Sequence, residues 1–330
     1  MKLFFLALCS TALWAQPPLQ FAELRDFKLE SGQGLASCRV GYRTYGALNA
    51  ERSNAILFPT WFGGRSENLD GFIGPGKMVD SSRFFVITVD ALANGVSCSP
   101  SQSAGSFPAI TIGDMVASQY RLATEILKLP RLHAVMGISM GGMQTYEWIT
   151  AHPEFVNLAV PIVGSPKLTM ADLLLWQAEL GAIEAVQRSG GDPRSAMPAV
   201  RAMHEFALHT PHWLTTNRPP ATFAEFMARQ QADSQSGISP LDYAAQLRAM
   251  MAQDISRRFN GSMESAGAAV RARVLTIVAT EDHMVNPEPA LALAASAGWP
   301  VVKLSGICGH QAPGCEAGTL NTRIPKFLKQ

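Results

Sequence analysis

The sequence predicts an α/β fold in which a mostly parallel central sheet carries helices on both faces and is interrupted by a helical insertion. Short, continuously apolar segments recur along the 330 residues, as expected of strands buried on both faces. Helical patterns separate these segments, and such alternation implies parallel pairing with right-handed crossovers. From residue 166 to residue 265 the helical patterns continue with no convincing strand between them.

The predicted elements begin with an N-terminal hairpin formed by FKLESG and CRVGYRTYG. Apolar strands follow at residues 55–60, 84–91, 133–138, 158–164, 273–280 and 300–306. Helices are predicted at residues 111–128, 287–298 and 316–329, and directly after Ser139. An insertion after a central strand is expected to lie over the carboxyl ends of the strands, where ligands bind, and so to form a cap.

The composition favours one large core and small, neutral partners. Apolar residues make up 47% of the chain and charged residues 16%, which excludes a disordered protein. The 27 Lys and Arg residues nearly balance the 26 Asp and Glu residues, so the formal net charge is +1. This balance gives no electrostatic reason to expect nucleic acid or an acidic membrane as a partner. A homodimer is compatible with the sequence.

The N-terminus is typical of a cleavable secretory signal. One Lys and an apolar stretch too short to span a bilayer lead to Ala15, after which the chain turns proline-rich at Pro17. A buried N-terminal helix is the alternative. We expect an exported protein without a stable membrane anchor. Its predicted parts are a signal peptide at residues 1–15, a core formed by residues 16–165 and 266–330, and the cap at residues 166–265.

Four cysteines remain after such a signal is removed, an even number in a compartment that permits disulfides. They are Cys38, Cys98, Cys308 and Cys315, which allow three pairings. A local pair of Cys308 with Cys315 is attractive because the loop that it would close contains His310. Four free buried thiols are the alternative.

Ser139 is the candidate nucleophile. The residues from Gly137 to Gly141 match the pattern G-x-S-x-G, and they lie between a predicted strand and a predicted helix, as a nucleophile elbow requires. Small residues at positions 137 and 141 permit a tight turn, while strained dihedral angles lift the serine hydroxyl above the sheet. A serine in an ordinary strand-to-helix turn is the alternative.

A serine hydroxyl needs a base, and the base needs a carboxylate that orients it. In this arrangement the partners follow in the order Ser, acid, His. Asp282 comes directly after the strand at 273–280 and is the favoured acid, with Glu281 as its rival and helix capping as its alternative role. His310 lies in a glycine-containing loop after the last predicted strand and is the candidate base.

The other histidines are less well placed. His283 is adjacent to the proposed acid, and His204, His209 and His212 fall in the insertion, where surface or cap positions are expected. No cluster has the spacing of a zinc site, so neither a metal nor a cofactor is expected.

The oxyanion hole is expected to combine the N–H of Met140 with an N–H from the loop after the strand at 55–60. That loop reads PTWFGGRSEN, and Trp61 or Phe62 would give the second N–H. A glycine-rich turn with an apolar plug is the alternative.

With these residues assigned, the chain resembles the homoserine O-acetyltransferase branch of the α/β-hydrolase superfamily. The segments that carry the resemblance are NAILFPT, GPGKMVDSSRFFVITVDAL, FPAITIGDMVASQYRL, AVMGISMGGMQTYEW, DYAAQLRAM, ATEDHMV and GICGHQA. By position, the resemblance places the nucleophile at Ser139, the acid at Asp282 and the base at His310. It implies an α/β-hydrolase fold.

Two departures argue against the namesake reaction of that branch. Its oxyanion segment usually reads close to His-Ala-Leu-Thr-Gly, whereas this chain has TWFGG, in which Phe62 takes the position of the donor. Gln311 follows the histidine where the branch usually has an Asp that helps to hold the amino-acid substrate, so a substrate ammonium would lose its anionic partner. Arg201 is a candidate for the insertion arginine that grips the substrate carboxylate.

The sequence therefore predicts an exported serine hydrolase that acts on a carboxylic ester with a small or medium acyl group. Trp61, Phe62 and Trp176 would make the pocket apolar, with Gln311 as a further substrate-binding residue. Acyl transfer through the same acyl-enzyme is the first alternative, although an exported enzyme would not meet acetyl-CoA and homoserine. A non-catalytic binding protein on the same fold is the second alternative.

Overall fold

The computed structural model describes residues 16–329, so the predicted signal at residues 1–15 lies outside the described residues. The described chain forms one mixed sheet. Its strands are β1 Gln20–Lys28, β2 Gly34–Tyr45, β3 Ala55–Pro59, β4 Phe85–Val89, β5 Leu132–Ile138, β6 Val156–Ile162, β7 Arg273–Val274, β8 Thr276–Ala279 and β9 Val301–Leu304. The order across the sheet is β1-β2-β4-β3-β5-β6-β8-β9, and the short β7 also pairs with β6.

The sheet is antiparallel only at one edge, where β1 pairs with β2 and β2 with β4. The pairings among β3 to β9 are parallel, which confirms the predicted mostly parallel sheet. Every residue of the central strand β3 is buried, because side chains on both of its faces are covered. The predicted N-terminal hairpin is confirmed as β1 and β2, although only Phe27 and Lys28 of the segment FKLESG lie in β1 and its other residues lie in the connecting turn.

Helices cover both faces of the sheet. They are α1 Ile112–Arg121, α2 Met140–Ala151, α3 Met170–Arg188, α4 Met197–Leu208, α5 Pro211–Asn217, α6 Phe223–Ser236, α7 Pro240–Met251, α8 Met263–Ala269, α9 Glu288–Ala297, α10 Ala312–Cys315 and α11 Ala317–Leu328. Two hydrophobic clusters form the core: Leu57 belongs to one and its neighbours Ile56 and Phe58 to the other, as strand alternation requires. The first cluster includes Met115 of α1, and the second Ile324 of α11.

Two elements that the sequence predicts as continuous are divided. The helix expected at 111–128 is α-helical only to Arg121 and continues as a π-turn at Leu122–Ile126. The strand expected at 273–280 is divided into β7 and β8. Both parts pair with β6, and the N–H groups of Leu275 and Thr276 donate to opposite sides, to Ala159 of β6 and to Pro300 beside β9, as consecutive strand residues do.

The stretch between β6 and β7 holds the helices α3 to α8. Contacts of α3 with α4 and α7, and of α4 with α6, make a helical layer, whereas α8 packs on α9 and α2 of the core. The boundary expected at residue 265 falls inside α8. The two ends of the layer meet: Ile255 donates its N–H to the carbonyl of Pro166, and Lys167 Nζ lies 2.9 Å from Asp254 Oδ2.

All four cysteines of the described chain are paired. Cys308 is bonded to Cys315, the local pair considered from the sequence, and Cys38 of β2 is bonded to Cys98 in the loop after β4. Among residues 16–329, no helix combines the length and the apolar character needed to cross a membrane.

Candidate active site

Ser139 occupies a strained turn between β5 and α2. Its backbone has φ 59° and ψ −120°, a conformation that a residue with a Cβ rarely adopts, and its N–H donates to the carbonyl of Ile162 at 2.8 Å. Gly137 and Gly141 make this turn possible. A Cβ on Gly137 would lie 2.2 Å from the backbone of Gly141, so no larger residue fits there without displacing the turn.

The structure brings Ser139, His310 and Asp282 together in one hydrogen-bonded chain. The Nε2 atom of His310 lies 2.7 Å from Ser139 Oγ, and its Nδ1 atom lies 2.6 Å from Asp282 Oδ2. All three residues are buried, and they lie in the segments that follow three separate strands, β5, β8 and β9. The imidazole therefore bridges a hydroxyl and a carboxylate, which is the arrangement needed to accept a proton from the serine.

The Asp282 carboxylate is held by backbone as well as by the imidazole. Its Oδ1 atom accepts the N–H groups of Met284 and Val285, each at 2.9 Å. Glu281, the rival acid, is exposed to solvent. At the start of α9 it is Asn286, rather than Asp282, whose side chain accepts a backbone N–H, at 2.9 Å. Asp282 thus faces His310 and does not cap the helix.

The loop that carries His310 is fixed at both ends. The disulfide between Cys308 and Cys315 closes it, as the sequence suggested. Gly309 has φ 61°, and a Cβ there would lie 3.1 Å from both the carbonyl of Leu208 and the N–H of Thr210. The loop therefore packs closely against the C-terminal end of the cap helix α4.

Candidate oxyanion donors lie beside Ser139. Met140 is the first residue of α2, so its N–H has no acceptor within the helix. In the loop after β3, the N–H of Thr60 donates to Val89 and that of Gly63 to a side chain, which leaves Trp61 and Phe62 as the donors of this loop. Because the side chains of both line the same cavity as Ser139, the geometry keeps both as candidates.

A buried amide network supports this loop from the core. Gln144 of α2 donates from Nε2 to the carbonyl of Thr60 at 3.0 Å, and its Oε1 accepts from Gln119 Nε2 at 2.6 Å. Trp148 Nε1 donates in turn to Gln119 Oε1 at 2.7 Å. Gln119, Gln144 and Trp148 are fully buried. Sequence reasoning missed this role, although polar amides within a buried helix are a signal of internal hydrogen bonding.

The cap supports the same loop from the other side. Gln246 of α7 accepts the Gly63 N–H at 2.8 Å through Oε1 and donates from Nε2 to the carbonyl of Leu92 at 2.9 Å. Like Gln144, this side chain is fully buried. Trp61 and Phe62 therefore lie between two backbone anchors, one from the core at Thr60 and one from the cap at Gly63.

A cavity of about 230 Å³ opens over Ser139 and His310. Its remaining walls are formed by Trp61, Phe62, Phe72, Ile138, Trp176, His204, Leu208, Met250, Met284, Gln311, Pro313 and Gly314. The four substrate-binding residues expected from the sequence, Trp61, Phe62, Trp176 and Gln311, all contribute to it. The wall is mainly apolar, and the volume suits a small ester better than a drug-sized ligand.

The sequence interpretation of His204 as a surface or cap residue was incomplete, because this cap residue also lines the cavity. Its partner Glu179 is fully buried on the face of α3 that also carries Trp176 and Ile183. A carboxylate on an apolar helix face is the one sequence signal that could have indicated a buried polar partner. Arg201 lines a separate outer groove instead, where its guanidinium lies 3.4 Å from the Asp233 carboxylate.

Within the described part of the chain, no group of three or more His, Cys, Asp or Glu side chains is arranged to hold a metal ion.

Comparison with known proteins gives relatives of two activities. Residues 56–304 match the family described as alpha/beta hydrolase fold. A protein of Corynebacterium glutamicum named as a probable esterase is 38% identical over 177 residues, which cover 52% of this chain and 51% of that protein. The ethyl acetate hydrolase of Pseudomonas veronii is 28% identical over 295 residues, or 83% of each chain. A homoserine O-acetyltransferase of Geotalea daltonii is 41% identical over 164 residues, covering 43% of this chain and 44% of the relative.

The first and third of these matches thus span about half, or less, of the relative's length. Among solved structures, that of the acetyl esterase MekB superposes with a TM-score of 0.88 at 26% sequence identity, covering 95% of this chain and 97% of the other. The predicted fold and the resemblance to homoserine O-acetyltransferases are both confirmed.

Proposed function

Because this chain belongs to the alpha/beta hydrolase fold family, we propose that it is a carboxylic-ester hydrolase that works through an acyl-enzyme on Ser139. One observation carries the proposal: the unbroken hydrogen-bonded chain from Ser139 Oγ through His310 to Asp282, at 2.7 and 2.6 Å. It opens into a small, mainly apolar cavity. These are the parts that an acyl transfer to serine requires, and relatives named as esterases support the same reaction.

In the first half-reaction, Ser139 Oγ attacks the ester carbonyl carbon while His310 Nε2 takes its proton. The carbonyl oxygen becomes an oxyanion, which the N–H groups of Met140 and of Trp61 or Phe62 stabilise. Asp282 stabilises the imidazolium that forms. When the tetrahedral intermediate collapses, the bond to the alcohol oxygen breaks and His310 gives its proton to that oxygen, so a neutral alcohol leaves.

In the second half-reaction, water replaces the alcohol. His310 Nε2 accepts a proton from the water as it attacks the acyl carbon bound to Ser139. Collapse of the second intermediate breaks the ester bond to Ser139, whose Oγ takes the proton back from His310. A carboxylic acid is released, and the starting enzyme is restored.

The proposed substrate is an ester with a small acyl group. A cavity of about 230 Å³ must hold both the acyl chain and the reacting part of the alcohol. The names of an ethyl acetate hydrolase and an acetyl esterase among the relatives favour acetyl esters within this class.

Acyl transfer to an alcohol is the second candidate, since a homoserine O-acetyltransferase is among the relatives. Gln311 weighs against homoserine as acceptor. This side chain lines the cavity directly after His310, and it is a neutral amide where a substrate ammonium would need an anion.

We further propose export, with residues 1–15 as the signal. The two disulfides among the described cysteines support an oxidising compartment. Expression of the full chain with its leader, followed by N-terminal sequencing of the mature protein, tests this. A mature chain that begins at Gln16 outside the cytoplasm supports export, whereas retention of Met1 in the cytoplasm contradicts it.

The enzymatic proposal is tested with 4-nitrophenyl acetate and a fluorophosphonate probe. We expect acetate release that needs no added acceptor, labelling of the wild type, and loss of both in Ser139→Ala. Release that requires an acceptor alcohol would support the transferase instead. Folded wild-type protein that neither reacts with the probe nor hydrolyses the ester would contradict both enzymatic candidates and favour a binding protein.

A further inference from the structure

A second histidine with a buried carboxylate partner lies in the cap. The Nδ1 atom of His204 on α4 is 3.2 Å from Glu179 Oε1 on α3. Tyr243 on α7 donates its hydroxyl to Glu179 Oε2 at 2.7 Å and lies 3.2 Å from the same His204 Nδ1. Three cap helices thus contribute one side chain each to a single polar cluster, which we call the cap triad: Glu179, His204 and Tyr243.

The hydrogen bonds of the cap triad determine which ring nitrogen of His204 is free to accept a further hydrogen bond. Glu179 is fully buried, so its carboxylate must be satisfied by these two partners. Burial and the neighbouring Glu179 carboxylate raise the pKa of Tyr243 well above its ordinary value, which keeps the phenol protonated as a donor. The remaining oxygen of Glu179 accepts from His204 Nδ1–H. In the neutral ring, Nε2 is then the atom with a free lone pair.

His204 is placed to use that lone pair on a substrate. The ring lines the cavity over Ser139, with its centroid 5.6 Å from that of the Phe62 ring. Four residues of the described cap line this cavity, namely Trp176, His204, Leu208 and Met250, and among them His204 carries the one strong hydrogen-bond acceptor. The Nδ1 atom is occupied by the cap triad, so Nε2 is the atom left for a ligand.

The part of the cavity wall that contains His204 also borders a groove on the outside of the protein. Trp61, Phe62 and His204 line both the catalytic cavity and an outer groove of about 620 Å³. During the proposed reaction the acyl group stays bonded to Ser139 at the cavity floor, whereas the alcohol must depart towards solvent. A side chain in the wall between cavity and groove is therefore suited to contact the alcohol part of the substrate.

From this geometry we infer that His204 is a specificity-determining residue that accepts a hydrogen bond from a hydroxyl on the alcohol part of the ester, so that the preferred substrates are small-acyl esters of hydroxylated alcohols. The inference rests on the proposed ester hydrolysis at Ser139. Glu179 and Tyr243 act through His204 and are positioning residues, since they hold its ring and its tautomer.

The experiment compares two esters of equal size. 2-Hydroxyethyl acetate and n-propyl acetate differ by a terminal hydroxyl in place of a methyl group, and kcat/KM is measured for each by titration of the released acid. We expect His204→Phe, which keeps an aromatic ring beside Phe62, to lower the ratio of the two values about five-fold, the effect of one neutral hydrogen bond. His204→Gln retains an acceptor and should restore part of the ratio.

Controls separate this inference from the function on which it rests. His212→Phe changes an exposed histidine of the cap helix α5 and should leave the ratio at its wild-type value. Hydrolysis of 4-nitrophenyl acetate, which has no such hydroxyl, is measured in every variant, so that the ratio is compared only among variants that remain active. Should His204→Phe not fold, His204→Leu takes its place with the same expected loss.

An unchanged ratio in a folded His204 variant that still hydrolyses 4-nitrophenyl acetate would overturn the inference and leave the hydrolase intact. Ethyl 3-hydroxypropanoate and ethyl butanoate form a second pair, in which the hydroxyl is on the acyl side. A His204 variant that changes the kcat/KM ratio of this pair alone would also overturn the inference. Wild-type protein that hydrolyses none of these esters would overturn the inference together with the proposed function.

Discussion

Gln246 of the cap and Gly63 of the core are joined by a hydrogen bond of 2.8 Å, directly beside the two candidate oxyanion donors of that loop. The same side chain donates to the carbonyl of Leu92, so one amide connects α7 to two loops of the core. The cap therefore does more than cover the cavity. It helps to set the position of the backbone on which the oxyanion would be stabilised.

We predict that Gln246→Leu lowers kcat by about 10- to 100-fold with a smaller change in KM, because a small displacement of an oxyanion donor acts mainly on the transition state. Gln246→Glu, protonated in this buried position, keeps an acceptor for Gly63 and should retain more activity. Steady-state kinetics and the inhibition constant of a small alkylboronic acid, which mimics the tetrahedral intermediate, provide the measurements.

Gln177→Leu, at an exposed position on α3, is the matched control and should leave kcat unchanged. A loss in Gln246→Leu that appears only as a lower unfolding midpoint, with wild-type kcat and boronate affinity, would show that Gln246 has a structural role alone.

The choice of acid gives a second prediction. Asp282→Asn should lower kcat/KM about 10⁴-fold, since an amide favours the wrong imidazole tautomer and does not stabilise the imidazolium. Glu281→Gln should have little effect, because Glu281 is exposed while Asp282 lies 2.6 Å from His310. Both are measured with 4-nitrophenyl acetate. Comparable losses in the two variants would mean that the acid is wrongly assigned.

We expect removal of one disulfide to lower mainly the stability of the protein and removal of the other to lower mainly its activity. Cys38 and Cys98 are 60 residues apart, whereas Cys308 and Cys315 are 7 apart. Loss of loop-closure entropy predicts that removing the long-range bond costs about 4 kcal/mol of unfolding free energy and removing the local bond about 2–3 kcal/mol. Activity should follow the opposite order, because only the local bond closes the loop that carries His310.

Double Cys→Ser variants of each pair test this, with urea unfolding for stability and 4-nitrophenyl acetate hydrolysis for activity. Wild-type kcat in the folded Cys308→Ser, Cys315→Ser variant would show that the loop holds His310 in place without its disulfide.

His152 predicts a pH dependence of stability. Its ring stacks on Tyr120 with centroids 3.9 Å apart, and burial, with the nearby Arg258 guanidinium, lowers its pKa from the ordinary 6.5 to about 4. Unfolding restores the ordinary value, so between these pH values the unfolded chain binds a proton that the folded chain excludes. The stability due to the neutral ring is therefore complete above pH 6.5 and is lost as the pH falls to about 4.

His152→Phe keeps an aromatic ring against Tyr120 and removes the titration. We expect the urea unfolding midpoint of this variant to fall less steeply than that of the wild type between pH 6.5 and pH 4, with parallel curves above pH 6.5. Parallel curves over the whole range would contradict a lowered pKa of His152.

The predicted site residues that the structure brings into contact are those with a local signature. Ser139 follows a strand and precedes a helix within a fixed glycine pattern, and Asp282 and His310 each follow an apolar strand. Parallel strands end at the same edge of a sheet, so side chains directly after them are brought together by topology alone. The fold could be predicted as well, because each strand and each helix leaves a local periodic pattern in the sequence.

The parts that the sequence could not predict depend on contacts between distant helices. The cap triad forms because α3, α4 and α7 cross at one point. The hydrophobic periodicity of a single helix does not show which other helices it will cross. The break between β7 and β8 has no signal in the sequence either, since the apolar run continues through it. The contact of Gln246 with Gly63 spans 183 residues.

The two ends of the helical layer meet at one point, where Pro166 bonds to Ile255 and Lys167 to Asp254. The chain therefore leaves the core and returns to it through neighbouring residues, so the segment between them, here called the cassette, begins and ends at one place on the core. Ser139 is encoded before this cassette, and Asp282 and His310 after it. Grafting a relative's residues between Lys167 and Asp254 is therefore expected to alter substrate choice, provided that the graft keeps a side chain that bonds to Gly63 as Gln246 does.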